Sequence, residues 1–158
     1  MANFAVTQDV RIEAWFEGNS NIYDSQIELA QDQAHGFMIT ILASKYDTTY
    51  LDTSNDNFDD STAHHTLAGI EQLRAAGLLL IAEYWPDGTE QKENGEQKIK
   101  EAKDTLMALL FGTPDSPAGR LIGDNGVEFT TVAVSPAGAI QSTGMENIDT
   151  WIDHCTQF

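Results

Sequence analysis

Residues 63–85 read AHHTLAGIEQLRAAGLLLIAEYW, and this stretch decides the fold of the chain. Apolar residues recur in it at spacings of three and four, which is the pattern of a helix with one buried side. Every residue from 78 to 82 is apolar, so we predict a central helix that neighbours cover on nearly all sides. Small residues at 75–77 leave room for a second helix to approach closely. The predicted buried positions are Leu67, Ile70, Leu73, Gly77, Leu80, Ile81 and Tyr84.

Two helices are predicted before the central one. A short helix over 8–17 follows Thr7, whose hydroxyl can cap it, and Gly18 is placed to end it. A longer helix begins at Asp24 or Ser25 and runs to 45 or 46. Its apolar stripe is predicted to be Ile27, Ala30, Ala34, Phe37 and Ile41.

Polar tracts on both sides of the central helix are predicted to be loops. Residues 47–60 are rich in Asp, Thr, Ser and Asn and lack periodicity, so we expect a solvated acidic loop, with Ser61 or Thr62 as the next N-cap. A second polar loop precedes a fourth helix over 96–111, which Gly112 and the following proline end. The apolar stripe of that helix is Ile99, Ala102, Leu106, Leu109 and Leu110.

The pattern changes after residue 117. Apolar runs at 121–122 and 127–134 flank Gly-Asp-Asn-Gly, which predicts a β-hairpin turn. Thr143 and Glu146 then form a capping box that begins a short final helix. We therefore predict a mainly α fold with a four-helix bundle-like body over 1–116 and a C-terminal arm of β-hairpin plus short helix over 117–158. The apolar side of the final helix is predicted to be Met145, Ile148, Trp151, Ile152 and Cys155.

The charge of the chain narrows the classes of function. The sequence has 25 acidic and 8 basic side chains, for a formal net charge of −17. This charge disfavours binding to DNA or RNA, because counterion release needs clustered Lys and Arg. It disfavours attachment to an anionic membrane for the same reason. The longest apolar run, 75–82, is too short to span a bilayer, and no basic region follows Met1, so we expect a cytoplasmic chain without a signal peptide.

The sequence lacks residues that the known metal-binding and catalytic motifs require. A calcium loop starting at Asp52 would need Gly at 57 and Glu at 63, where the sequence has Asn57 and Ala63. His64 and His65 have no further ligand at zinc spacing, and nothing near Cys155 lowers the pKa of a thiol. Nucleophile elbows and phosphate-binding glycine loops are missing from the sequence. We therefore predict no enzyme activity, no metal and no cofactor.

The final helix allows two interpretations. The arm can fold back on the helical body, or Ile148, Trp151 and Ile152 can form the apolar anchor of an interface with another protein, since aromatic residues dominate such interfaces. The sequence leaves both open.

Residues 5–115 resemble the head–tail connector, or adaptor, proteins of tailed bacteriophages and prophages. A short helix beginning VTQDV at 6–10 precedes a helix that ends ILASKYD at 41–47, like the family's YLxxRYxxP. The central helix ends IAEY at 81–84, like IAxY, and the fourth contains IKEAKDTLMALLFG at 99–112, like YxxAxxxLxxIxxG with Ile99 in place of Tyr. The order of these segments is also that of the family.

The resemblance implies a structural role without catalysis. Such adaptors form a homo-oligomeric ring, commonly of twelve subunits, that attaches to the portal protein, extends the DNA channel and receives a neck stopper or tail protein. The expected location is the virion neck, with assembly in the host cytoplasm. C-terminal extensions in the family dock on the portal, which here implies an arm that uses strand residues and the final helix. The partner-binding residues expected on this basis are Val132, Val134, Ile148, Trp151 and Ile152.

The acidic charge suits such a channel, because carboxylates repel the phosphates of DNA that must pass without binding. The expected lining residues are Asp24, Glu28, Asp32, Asp52, Asp56, Asp59 and Asp60, and we expect Lys98, Lys100 and Lys103 to face an acidic neighbouring subunit or the portal. Two other classes stay open: an acidic DNA-mimic or other inhibitor that interacts with a host protein, and a small enzyme without a known motif.

Overall fold

The computed structural model describes residues 3–84 and 89–129 of the chain. It contains four α-helices, which are α1 Thr7–Glu13, α2 Asp24–Leu42, α3 Thr62–Glu83 and α4 Thr89–Phe111, and one 3₁₀ turn at Thr48–Tyr50. The mainly α fold with four helices is confirmed. None of these helices is long and apolar enough to cross a membrane.

The central position predicted for α3 is confirmed, because α3 packs against α1, α2 and α4. Its first half lies in a core with the end of α2 and with α4, where Leu67 and Leu106 are fully buried. Its second half lies in a second core with α1 and the start of α2, around Val10 and Ile27. Of the seven positions predicted to be buried, Leu67, Ile70, Gly77 and Leu80 are buried, and Leu73, Ile81 and Tyr84 are half-buried.

Two glycines set the distance between α3 and α4. A Cβ atom on Gly77 would lie 2.7 Å from the carbonyl oxygen of Gly95, and one on Gly95 would lie 2.8 Å from that of Gly77. Both distances are well below van der Waals contact, so any side chain here would push the helices apart. The close approach predicted at 75–77 is confirmed, and Gly95 is the residue that meets it.

The boundaries of the first two helices differ from the prediction. Helix α1 ends at Glu13 rather than at 17, because the chain turns at Trp15, which has a left-handed φ of 60°. Thr7 is the first helical residue and not the cap, and its hydroxyl donates to Gln31 Oε1 at 3.2 Å. Helix α2 begins at Asp24 as predicted but ends at Leu42, beyond which the amides of Ser44 and Lys45 bond to carbonyls three residues back.

Helix α4 begins at Thr89 rather than at 96, so the loop predicted over 89–95 is wrong. This first part has no apolar stripe, and its polar residues are good helix formers. The contact of Gly95 with α3 holds it in place, and Lys92 lies 3.8 Å from Glu96 one turn later.

The segment 47–60 is not simply a solvated loop, because Leu51 and Phe58 are fully buried. The Phe58 ring packs edge-on against Phe4 and Phe129, with ring centres 5.5 and 5.7 Å apart. The predicted N-cap at Ser61 is confirmed, since its hydroxyl accepts from the His64 amide at 3.1 Å. The segment therefore closes one end of the core.

The chain after α4 follows the predicted stop and turn. Gly112 has a left-handed φ of 75° just past α4, and the turn at 123–126 brings Ile122 and Glu128 into an isolated antiparallel bridge. Leu121 and Phe129 are buried in the same core as α3 and α4, so this part packs on the body. The described residues contain no regular strand. The remainder of the predicted hairpin and the final helix, at 130–158, lie outside the described residues, and the division at 116 stays a prediction.

Candidate functional site

Three exposed carboxylates lie in a row along α2. Asp24, Glu28 and Asp32 are four residues apart, so they share one side of the helix at intervals of about 6 Å. Asp24 pairs with Arg11, whose Nη2 lies 2.7 Å from Oδ1. Asp32 accepts a hydrogen bond from the side-chain amide of Asn3 at 3.0 Å. The row is therefore held at both ends by neighbouring segments.

A second pair of exposed carboxylates lies beside His64 at the start of α3. The Asp59 carboxylate is 3.6 Å from His64 Nδ1, and the Asp60 backbone amide donates to the same nitrogen at 3.3 Å. The other ring nitrogen, Nε2, donates to the Phe4 carbonyl oxygen at 3.1 Å. His64 thus connects the acidic pair to the N-terminal segment.

The segment Asn3–Phe4 makes hydrogen bonds to both groups of carboxylates or their neighbours. Asn3 binds Asp32, and the next residue, Phe4, binds His64, so only two residues of chain separate the two acidic groups. We define the acidic face as Asp24, Glu28, Asp32, Asp59 and Asp60.

The other two acids of the predicted lining set are not joined to this face by the Asn3–Phe4 link. Asp56 is exposed and lies earlier in the segment 47–60 than Asp59 and Asp60. Asp52 is half-buried, and its carboxylate accepts from the Ser54 amide at 2.9 Å. The structure thus groups five of the seven carboxylates that the sequence singled out.

A buried polar cluster fixes the N-terminal segment in this position. The Glu71 side chain is fully buried on α3 and accepts hydrogen bonds from the amides of Phe4 at 3.2 Å and Ala5 at 3.1 Å. It also accepts from His35 Nδ1 at 2.8 Å, and Gln31 donates to the Ala5 carbonyl at 2.7 Å. We call Gln31, His35 and Glu71 the N-terminal clasp.

Sequence reasoning missed the clasp, although one signal for it exists. Glu71 lies four residues after Leu67 and four before Ala75, which places a carboxylate on the buried side of the central helix. A buried carboxylate needs several donors. The donors come from the first residues of the chain and from α2, and no spacing in the sequence identifies them.

The ligand atoms of Asp59, Asp60 and His64 lie within 4.8 Å of one another, as a cation site requires. Both ring nitrogens of His64 already have partners, and both carboxylates are exposed. We assign no metal to this group.

The lysines of α4 do not form one surface. Lys98, expected to face a neighbouring protein, forms an ion pair with Glu13 and lies 5.3 Å from the centre of the Trp15 ring, so it stabilises the contact between α1 and α4. Lys100 and Lys103 are exposed. The expected partner-binding residues Val132, Val134, Ile148, Trp151 and Ile152 lie outside the described residues.

One carboxylate of the acidic loop has a shifted pKa. The hydroxyl of Thr49, at 2.6 Å, and its amide, at 3.1 Å, hold the pKa of Asp47 below its usual value. Because this pKa is lower in the folded than in the unfolded chain, the bonds stabilise the fold above the unfolded pKa, and that contribution is lost as pH falls through the folded pKa. We expect Thr49→Val to raise the pKa of Asp47 toward 3.8, measured by NMR titration of the carboxyl carbon. Thr40→Val, whose hydroxyl bonds within α2, should leave it unchanged. An unshifted titration in Thr49→Val would contradict this assignment.

No protein-family model, no curated protein and no solved structure matches the chain. The function is therefore argued from the acidic face and the residues around it.

Proposed function

We propose that this protein is a structural head–tail adaptor of a tailed bacteriophage. It assembles as a ring on the portal protein, extends the DNA channel and offers a platform to a neck stopper or tail protein. It has no catalytic role. The observation that carries the proposal is the acidic face, in which the exposed carboxylates of α2 are connected through Asn3, Phe4 and His64 to the exposed carboxylates just before α3.

The acidic face suits the wall of a channel that DNA crosses without binding. A carboxylate and a phosphate 8 Å apart in water repel each other by about 0.5 kcal/mol. Each such term is small, but a ring repeats the face in every subunit and surrounds the DNA with it. Among the described residues, the face has two basic neighbours: Arg11 pairs with Asp24, and His64 lies beside Asp59.

The C-terminal arm supplies attachment to the portal in this proposal. Val132 and Val134 would add a strand to a sheet edge of the portal, and the final helix, with Trp151, would fill a groove. The resemblance of residues 5–115 to adaptor proteins supports this division of roles between body and arm.

The same row of acids also permits a second function, a DNA-mimic that inhibits a host DNA-binding protein. A DNA-mimic needs a run of anions that follows the phosphates along a DNA groove. The α2 row has three carboxylates, and Arg11 already neutralises Asp24, so only Glu28 and Asp32 keep an uncompensated charge in the row. Two charges are too few to imitate such a run, which favours the channel wall.

Reversing the charge of the acidic face tests the proposal. We expect Glu28→Lys combined with Asp59→Lys to slow DNA ejection severalfold while ring attachment to the portal is unchanged, measured by DNA release from purified virions and by size analysis of the portal complex. The matched control, Glu101→Lys with Asp104→Lys, changes the same charge at exposed positions of α4 and should leave ejection at the wild-type rate.

Two outcomes would contradict the adaptor proposal. One is a protein that does not form a ring with its portal protein at any ratio. The other is ejection at the wild-type rate from virions that contain the face variant. Tight binding to a host DNA-binding protein without binding to portal would instead favour the DNA-mimic.

A further inference from the structure

An apolar groove of about 230 Å³ runs between α2 and α3. Leu29, Ala30, Leu78 and Ala82 line it, and Leu29 is 60% exposed. Pockets for small molecules usually have roughly 300 Å³ or more and several converging polar groups. The small volume and apolar lining of this groove therefore suit the side chains of a docked polypeptide segment.

Arg74 extends the same strip of surface by one helical turn before Leu78. Its guanidinium lies 3.5 Å from the centre of the Phe37 ring, and burial lowers the pKa of Arg74 from its usual value. The Nε atom is buried and has no hydrogen-bond partner. A half-buried cation is stable when an anion pairs with it.

The pairing of Arg74 differs from that of the other two arginines in the sequence. Arg11 lies 2.7 Å from Asp24, and Arg120 lies 3.7 Å from Glu128. Within residues 3–84 and 89–129, no carboxylate lies within 4.0 Å of Arg74. The chain has 25 acidic residues, yet none of the described ones pairs with Arg74. The groove and Arg74 together therefore suit an occupant that has both apolar side chains and a carboxylate.

The chain contains such a segment beyond the described residues. The predicted final helix combines Ile148, Trp151 and Cys155 on one side with acidic residues between them. We propose that this C-terminal segment docks in the α2–α3 groove of its own chain, with Asp149 beside Arg74. Because the segment is tethered to the body, its effective concentration at the groove is in the millimolar range.

Charge and length give the direction of docking. The end of the groove away from Arg74 carries Glu83, which suits His154 better than an aspartate. Arg74 and Ala82 are about 12 Å apart along α3, and Asp149 and Cys155 are about 9 Å apart along a helix. Cys155 therefore lies near Ala82. This docking concerns the free subunit and does not depend on the adaptor proposal; in an adaptor, attachment to the portal would draw the segment out of the groove.

Disulfide formation in the full chain tests the proposal, because Cys155 is its one natural cysteine. Under mild oxidation, Ala82→Cys should yield a disulfide within one chain in most molecules, seen as a fast-migrating monomer on a non-reducing gel and as a linked peptide by mass spectrometry. The control Lys103→Cys, exposed on α4, should form this link at a rate about tenfold lower. Adding Arg74→Glu or Leu29→Asp to Ala82→Cys should slow the link about tenfold, whereas adding Lys103→Glu should not.

Four results would overturn the proposal. They are equal rates for Ala82→Cys and Lys103→Cys, no link in either, an unchanged rate when Arg74→Glu and Leu29→Asp are added, and a link that forms only between two chains. The last result would assign the groove to a second copy. Leu29 is largely exposed, so Leu29→Asp keeps the test valid if Arg74→Glu unfolds the chain. Ring assembly on the portal, measured separately, tests the adaptor proposal without reference to the groove.

Discussion

Glu71→Ala is expected to lower the free energy of unfolding by about 3 kcal/mol. The substitution removes the acceptor for three donors, which are the amides of Phe4 and Ala5 and His35 Nδ1. The carboxylate is fully buried, so water replaces it only if the N-terminal segment moves away. Urea denaturation measures the loss, and hydrogen exchange at Phe4 and Ala5 shows whether the segment is released.

Two further variants separate the clasp from a general effect of losing a carboxylate. Glu71→Gln keeps one acceptor oxygen and should cost roughly half as much. Glu101→Ala removes an exposed glutamate from α4 and should change the free energy of unfolding by no more than about 0.5 kcal/mol. A Glu71→Ala variant within about 0.5 kcal/mol of the wild type would show that the clasp contributes little.

The clasp also holds the segment that contacts the acidic face. Asn3 and Phe4 are the link between Asp32 and His64, and the amide of Phe4 is held by Glu71. Release of the segment would remove the hydrogen bonds of Asn3 to Asp32 and of Phe4 to His64, whereas the packing of α2 on α3 would still fix the two groups of carboxylates relative to each other.

The order of the helices was predictable because each has an apolar stripe. The stripe of α3, with Leu67 and Leu80, is long enough to show both the helix and its central position. The start of α4 was not predictable in this way, because residues 89–95 are polar and their helical state depends on contact between Gly95 and α3. Local pattern does not report such tertiary contacts.

The buried residues of the segment 47–60 are a second feature that the sequence pattern does not reveal. Leu51 and Phe58 are isolated apolar residues in a polar tract, so no periodicity marks them as buried. Phe58 is buried because Phe4 and Phe129, which are far from it in sequence, meet it in the fold. The same holds for the acidic face: the α2 row follows from residue spacing, but its position relative to Asp59 depends on how α2 packs on α3.

Gly77→Ala is expected to lower the free energy of unfolding by about 2 kcal/mol, although alanine is the better helix former. The new methyl group would lie 2.7 Å from the carbonyl oxygen of Gly95, a backbone atom that moves only if α3 and α4 separate. The matched control is Gly69→Ala on the same helix, where nothing lies within 4 Å, and this should raise stability by about 0.5 to 1 kcal/mol.

Gly77→Ala and Gly69→Ala make the same change on one helix but are expected to change stability in opposite directions. The difference between them therefore reports the distance between α3 and α4. Gly95→Ala should be as costly as Gly77→Ala, because each Cβ meets the backbone of the other glycine. The double variant should cost less than the sum of the two, since one separation of the helices relieves both contacts. Urea denaturation of the four variants gives these differences directly. Stabilisation by Gly77→Ala equal to that by Gly69→Ala would mean that α3 and α4 do not approach each other this closely at Gly77 and Gly95.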